Sequence, residues 1–179
     1  MNLQKEFQTK IVPALQTELG YKNAMAVPKP LKVTLNVGMS RALKEPAFAE
    51  VIEANIIQIA GQKPVKTLSK KSISNFKIRQ GQVVGMKVTL RGKRMFDFLE
   101  KFIKVTLPRI KDFRGLLPKI IDRKGNLNIG IRESIAFPEI KAEEIEKIHS
   151  LEVSVTANAK NSTEGEALWR ALGFPIIKK

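Results

Sequence analysis

The chain has 179 residues, with 32 lysines and arginines against 17 aspartates and glutamates, for a net charge of +15. It contains no cysteine, which excludes a disulfide framework, thiolate metal sites and thiol nucleophiles. No stretch approaches the roughly 18 apolar residues that span a bilayer, and "MNLQKEFQTK" lacks a signal-peptide centre, so a cytoplasmic protein with no membrane partner is expected.

At 43% hydrophobic residues the chain should fold, and its length suits a single domain over residues 1–179. Leu3, Phe7, Ile11, Leu15 and Leu19 recur at helical spacing, predicting an N-terminal helix within 1–20 that Pro13 kinks or divides and Gly20 stops. "LKVTLNVG" alternates Leu31, Val33, Leu35 and Val37 against Lys32, Thr34 and Asn36, the mark of a strand with one buried face. Pro46 opens a second helix whose stripe is Phe48, Val51, Ile52, Ile56 and Ile59. "KPVKTL" is a short extended piece that Pro64 assigns to a sheet edge.

"SKKSISNFKIRQGQ", residues 69–82, keeps neither period and reads as a basic loop. Alternation resumes with Val84, Met86, Val88 and Leu90 against Gly85, Lys87, Thr89 and Arg91. Met95, Phe96, Leu99, Phe102 and Ile103 then predict a helix that Pro108 closes. A long connection follows, with turn signals at Asp112, Gly115 and Gly125. "NLNIGIRE" and "LEVSVTA" are two more one-sided strands, burying Leu127, Ile129 and Ile131 and then Leu151, Val153 and Val155. Between them, Pro138 to Ile148 reads as a short acidic helix. The last helix takes Asn161 or Ser162 as cap and Gly173 as stop, with Ala167, Leu168, Ala171 and Leu172 as its core.

Strands with a single apolar face imply an α+β fold: a mostly antiparallel sheet with helices packed on one face, the other face and the basic loop open. The side chains assigned to the open face are Thr34, Asn36, Lys87, Thr89, Arg91, Asn128, Arg132, Ser154 and Thr156. Charge is uneven as well. Between Glu53 and Asp97 there are ten cations and no carboxylate, the footprint of a polyanion binder, since solvated surfaces ordinarily mix both signs.

Catalysis finds no constellation. His149, the one histidine, has no partner group in sequence and reads as a solvent-facing or hydrogen-bonded helix-end residue. Gly81, Gly85 and Gly92 match no phosphate-binding fingerprint, and Glu143, Glu144 and Glu146 read as solvated. Neither an enzyme nor a cofactor or metal is expected. Zinc-finger, zipper and helix-turn-helix patterns are absent, and the polar strand faces carry no stacking aromatics, so recognition of a folded RNA by hydroxyl, amide and cation contacts is implied. Phe76 either tucks inward to anchor the loop, the favoured reading, or stacks on a base.

The run from Gly61 to Gly115, with "VTLNVG", "GNLNIGIRESIAFPEI" and "EGEALWRALGFP" in the same order, closely resembles the bacterial large-subunit ribosomal protein L5 family, over nearly the whole chain. The resemblance implies a translation protein of the large ribosomal subunit that binds 5S ribosomal RNA in the central protuberance. Asn36 and Thr89 look like the family's RNA-contacting sheet positions, with Thr34, Lys87 and Arg91 as neighbours. The family's basic loop, here Lys70, Lys71, Ser72, Asn75, Phe76, Lys77, Arg79 and Gln80, implies contact with the peptidyl-site transfer RNA (P-site tRNA). An intersubunit bridge to a small-subunit head protein is implied near Arg109, Asp112, Arg114, Glu139 and Glu143. Large-subunit ribosomal RNA and neighbouring 5S-associated proteins are further implied partners. The competing readings are a free-standing regulatory RNA-binding protein or RNA chaperone, and an enzyme acting on nucleic acid.

Overall fold

The computed structural model describes residues 3–39, 46–140 and 148–177. Five strands, β1 (Pro30–Gly38), β2 (Val65–Leu68), β3 (Val83–Leu90), β4 (Leu127–Ile131) and β5 (Leu151–Ala157), form one sheet in the order β2-β3-β1-β5-β4. The pairing is antiparallel. β2 meets β3 in the register Val65↔Lys87 and Thr67↔Gly85. Elsewhere the end of one strand bonds the start of its neighbour: Met39 N–H donates to Val84 O (2.9 Å), Asn158 N–H to Lys29 O (3.3 Å) and Ser134 N–H to His149 O (3.1 Å).

Alternation buries Val33, Leu35 and Val37, then Met86, Val88 and Leu90, then Leu127, Ile129 and Ile131, and finally Leu151, Val153 and Val155. The α+β class follows as the sequence implied. Leu31 departs from its expected place: it lies at the strand's start and is 42% exposed, while Pro30 beside it is buried. β2 is an edge, as Pro64 suggested. Lys66 and a bulge between Thr67 and Leu68 blunt that edge against further pairing.

The N-terminal helix runs Leu3–Glu6, passes through a π-helical stretch Phe7–Ile11, and continues as Val12–Leu19. Pro13 therefore does not divide it. In the widened turn Val12 N–H bonds Phe7 O, five residues back, so the proline's missing donor falls where the ladder has already shifted. The third helix repeats the device. Gly92–Lys101 is followed by a π stretch Phe102–Thr106, where Leu107 N–H bonds Phe102 O, and Pro108 then sits inside Leu107–Arg109 instead of closing the element itself. Gly20, at φ +69°, ends the first helix.

The chain divides into two compact units: Met1–Val33 with Leu90–Ile129 and Val153–Lys179, and Thr34–Thr89 with Gly130–Glu152. In the first, Phe7 meets Phe96 at 5.7 Å, Phe98 stacks on Phe102 at 5.6 Å, and Trp169 stands edge-on to Phe174 at 5.9 Å. Full burial of such a side chain contributes about 1.5–3 kcal/mol. Trp169 Nε1 donates to Gly125 O (2.8 Å), and Gly125 and Gly165 approach so closely that a Cβ on either would strike the other's backbone.

The C-terminal helix, Ser162–Ala171, is capped by Asn161, whose side chain accepts from Glu164 N–H (2.8 Å). Its buried face is Gly165, Leu168 and Trp169, with Leu172 just beyond; Ala171, expected inside, is exposed, because the Trp169 ring sets which side of the helix faces the core. The long connection turns at Asp112 (φ +55°), Gly115 (φ +100°) and Gly125 (φ +76°), as expected. Leu116 pins it to the C-terminal segment, its N–H bonding Pro175 O (2.8 Å) and its carbonyl accepting from Ile177 N–H (3.0 Å).

The second unit packs the helix Pro46–Ala60 through Phe48, Ile52, Ile56 and Ile59. His149 is buried at 6% exposure in the segment leading into β5, which overturns the solvent-facing one of its two expected placements: the chain must dive inward there to start a strand whose first residue, Leu151, is core. Most of the acidic helix expected from Pro138 to Ile148 lies outside the described residues. Those that are described, 138–140 and 148, are turn, bend and coil.

Two expectations about stability follow. Thr106 is fully buried in the second π stretch and its Oγ1 has no hydrogen-bond partner among the described residues. Thr106→Val should therefore raise the urea midpoint, by about 1 kcal/mol in stability; an unchanged or lower midpoint would show the hydroxyl is satisfied. Burial pushes the Asp122 carboxyl up, but hydrogen bonds from Asn126 Nδ2 (2.7 Å) and from the N–H groups of Asn126 (2.8 Å) and Lys124 (2.9 Å) outweigh it and hold it below its ordinary value. A depressed carboxyl stabilises the fold above its unfolded-state value and loses that contribution as pH falls. Asp122→Asn should flatten part of the loss of stability below about pH 4, measured by urea titration at stepped pH.

Candidate nucleic-acid interface

The basic loop builds its own frame. Ile73 and Ile78 exchange backbone hydrogen bonds (2.9 and 3.1 Å), Ser74–Phe76 forms a single 3-10 turn, and Lys77 takes φ +54° to reverse the chain. At the base, Ser69 N–H donates to Gln82 O (2.8 Å) and Gly81 N–H to Ser69 O (2.9 Å). Side chains complete the closure: Ser72 Oγ accepts from Gln80 N–H (3.0 Å), Gln82 Oε1 from Arg79 N–H (3.0 Å), and Ser69 Oγ donates to Lys71 O (2.7 Å).

This frame leaves Lys70, Lys71, Ser72, Asn75, Lys77, Arg79 and Gln80 exposed. The loop's four cations make no ion pair among the described residues. By contrast, Lys63 and Lys66 both reach Glu53, at 3.7 and 4.0 Å, so that carboxylate offsets part of the cationic segment at its near end. Phe76 is 70% exposed and Ile73 44%. The inward anchor expected of Phe76 is thus replaced by an outward ring, because the backbone and side-chain bonds already close the loop.

On the sheet, Asn36 and Lys87 are exposed and Thr34 and Thr89 half-buried, on the neighbouring strands β1 and β3 of the second unit. Gly85 belongs to the same face. A Cβ there would lie 2.9 Å from both Thr67 Oγ1 and Val37 O, so glycine lets the Thr67 side chain lie across β3. Glu152, on β5, was not among the residues read as recognition groups, yet its Oε2 accepts from Asn36 Nδ2 (3.5 Å). Arg91 lies in the first unit, exposed, at the start of the third helix. Arg109, Asp112 and Arg114 are exposed in the first unit and Glu139 is half-buried in the second, while Glu143 lies outside the described residues.

Residues 23–79 match the family described as Ribosomal protein L5, and residues 83–176 match the C-terminus of the same ribosomal family. This chain belongs to the ribosomal protein L5 family. Relatives named large ribosomal subunit protein uL5 cover it almost end to end: that of Francisella tularensis subsp. mediasiatica is 49% identical over 174 residues, 97% of each chain. Those of Cupriavidus metallidurans and Symbiobacterium thermophilum are 47% identical over 97% of each chain and 46% over 99%. Ribosomal protein L5 is a structural, non-enzymatic family, which overturns the reading as a nucleic-acid enzyme. No helix among the described residues is long and apolar enough to cross a membrane.

The outward ring gives Phe76 little part in the stability of this L5-family chain. Phe76→Ala should shift the urea midpoint by less than about 0.5 kcal/mol, whereas Phe98→Ala, in the aromatic cluster, should cost about 3–5 kcal/mol. A large loss from Phe76→Ala would restore the anchor.

Proposed function

We propose that this structural constituent of the large ribosomal subunit binds 5S ribosomal RNA through the open sheet face, with Asn36 and Thr89 as contact residues and Thr34, Lys87 and Arg91 as further candidates. The observation that carries this reading is the pairing of an acid-free segment of ten cations with an exposed hydrogen-bonding sheet face. Cations fix position by phosphate contact, while hydroxyl and amide groups reach the 2′-hydroxyls and base edges of an RNA groove.

The basic loop serves a second RNA, the peptidyl-site transfer RNA. Its four cations, Lys70, Lys71, Lys77 and Arg79, point at phosphates, and Phe76 supplies a ring for a base or ribose; such stacking contributes about 1–3 kcal/mol. A loop already closed by its own bonds loses little conformational entropy on binding. Arg109, Asp112, Arg114, Glu139 and Glu143 are the candidate contacts to a small-subunit head protein in an intersubunit bridge. Large-subunit ribosomal RNA and neighbouring 5S-associated proteins complete the surroundings in the central protuberance. The protein works in the cytoplasm, on the ribosome.

With about six phosphates neutralised, affinity for 5S RNA should fall with salt at a log-log slope of about −4 to −5. Asn36→Ala and Thr89→Ala should weaken 5S binding, while neutralising Lys70, Lys71, Lys77 and Arg79 should mainly weaken transfer-RNA placement on reconstituted ribosomes. Loss of 5S binding from the loop change alone would reverse this division. Equal affinity for an unrelated RNA of similar length, together with a free pool away from large subunits, would favour the free-standing regulator.

A further inference from the structure

The open sheet face of a strongly cationic protein carries a carboxylate. Glu152 is exposed on β5 and faces the same way as Asn36 on neighbouring β1, because both occupy outward positions of their alternating strands. Its partner is the Asn36 carboxamide: Nδ2 donates to Glu152 Oε2 at 3.5 Å. A carboxamide offers a donor nitrogen and an acceptor oxygen, and which one meets a ligand decides what the ligand must be. Nδ2 carries two hydrogens: one is given to Glu152 and the other stays beside that carboxylate, so the Asn36 atom free of the pair is Oδ1, an acceptor.

A phosphate oxygen carries no hydrogen and cannot bond to Oδ1, and it is repelled by the adjacent carboxylate. RNA groove donors, the 2′-hydroxyls and base amino groups, can. Lys87, exposed on β3 at the other flank of β1, is the cation available there for a phosphate. We propose that Glu152 is a positioning residue: it holds the Asn36 carboxamide with its acceptor outward, so that this part of the face selects an RNA groove over bare backbone. The inference rests on the reading of the sheet face as the RNA-binding surface, and it gives the acidic group beside Asn36 a role in specificity.

The test is a mutant cycle on the full chain, with fluorescence anisotropy against transcribed 5S RNA and against an unrelated duplex RNA of similar length. Glu152→Gln should weaken 5S binding about three- to tenfold, the worth of one oriented hydrogen bond, without weakening the unrelated duplex. In an Asn36→Ala background the same change should no longer weaken 5S binding. Thermal melting should be unchanged, because Glu152 is exposed and makes no ion pair among the described residues. Equal tightening of both RNAs by Glu152→Gln would overturn the proposal, leaving the carboxylate only a repulsive charge. So would an equal 5S loss with and without Asn36. Wild-type protein that binds both RNAs alike would instead overturn the underlying functional reading.

Discussion

A β-strand has two faces, and this chain provides apolar side chains for only one of them. Val33, Leu35 and Val37 on β1 alternate with Thr34 and Asn36, and Met86, Val88 and Leu90 on β3 alternate with Lys87 and Thr89. Because the side-chain period is two, burying the first set fixes the second outward, and a one-residue slip would exchange them. The core and the candidate RNA face are therefore one constraint. Substitutions that alter the inward set act on the outward set without touching it.

Charge is organised by the same logic at a coarser scale. The ten cations between Glu53 and Asp97 cover β2, the basic loop, β3 and the start of the third helix, and Glu53 neutralises part of that run only at its near end. Electrostatics attracts any polyanion and sets salt dependence, but carries no sequence information. Discrimination has to come from oriented groups, and in the proposed reading the Asn36–Glu152 pair and the exposed Phe76 ring are the groups that would supply it.

Much of the fold could be read from the sequence because its strands alternate cleanly and its helices carry continuous stripes. All four alternating segments are strands, Pro64 did mark an edge, and Asp112, Gly115 and Gly125 do turn with positive φ. What failed depended on contacts between distant residues. A lone aromatic among cations gives no sign of which way it faces, so the exposure of Phe76 emerged only once the loop's internal bonds were seen. His149 and Trp169 are buried by where the chain travels next, not by their local pattern. Asn36 and Glu152 are 116 positions apart, and their meeting depends on strand order, which periodicity does not encode. Alternation placed Thr34, Asn36, Lys87 and Thr89 at outward strand positions; the carboxylate that accepts a hydrogen bond from Asn36 was not legible.

The two π-helical stretches have a consequence for how this family can vary. Each amounts to one surplus residue wound into a helix, and each stands directly ahead of a proline, Pro13 or Pro108. Deleting that residue would restore an ordinary α-helix, in which the proline ring would collide with the carbonyl four residues before it. Replacing the proline alone would leave a widened turn with nothing to accommodate. Helix length and proline position are thereby coupled, so descendants of this sequence can lose both or keep both, and passing through either half-change carries a cost.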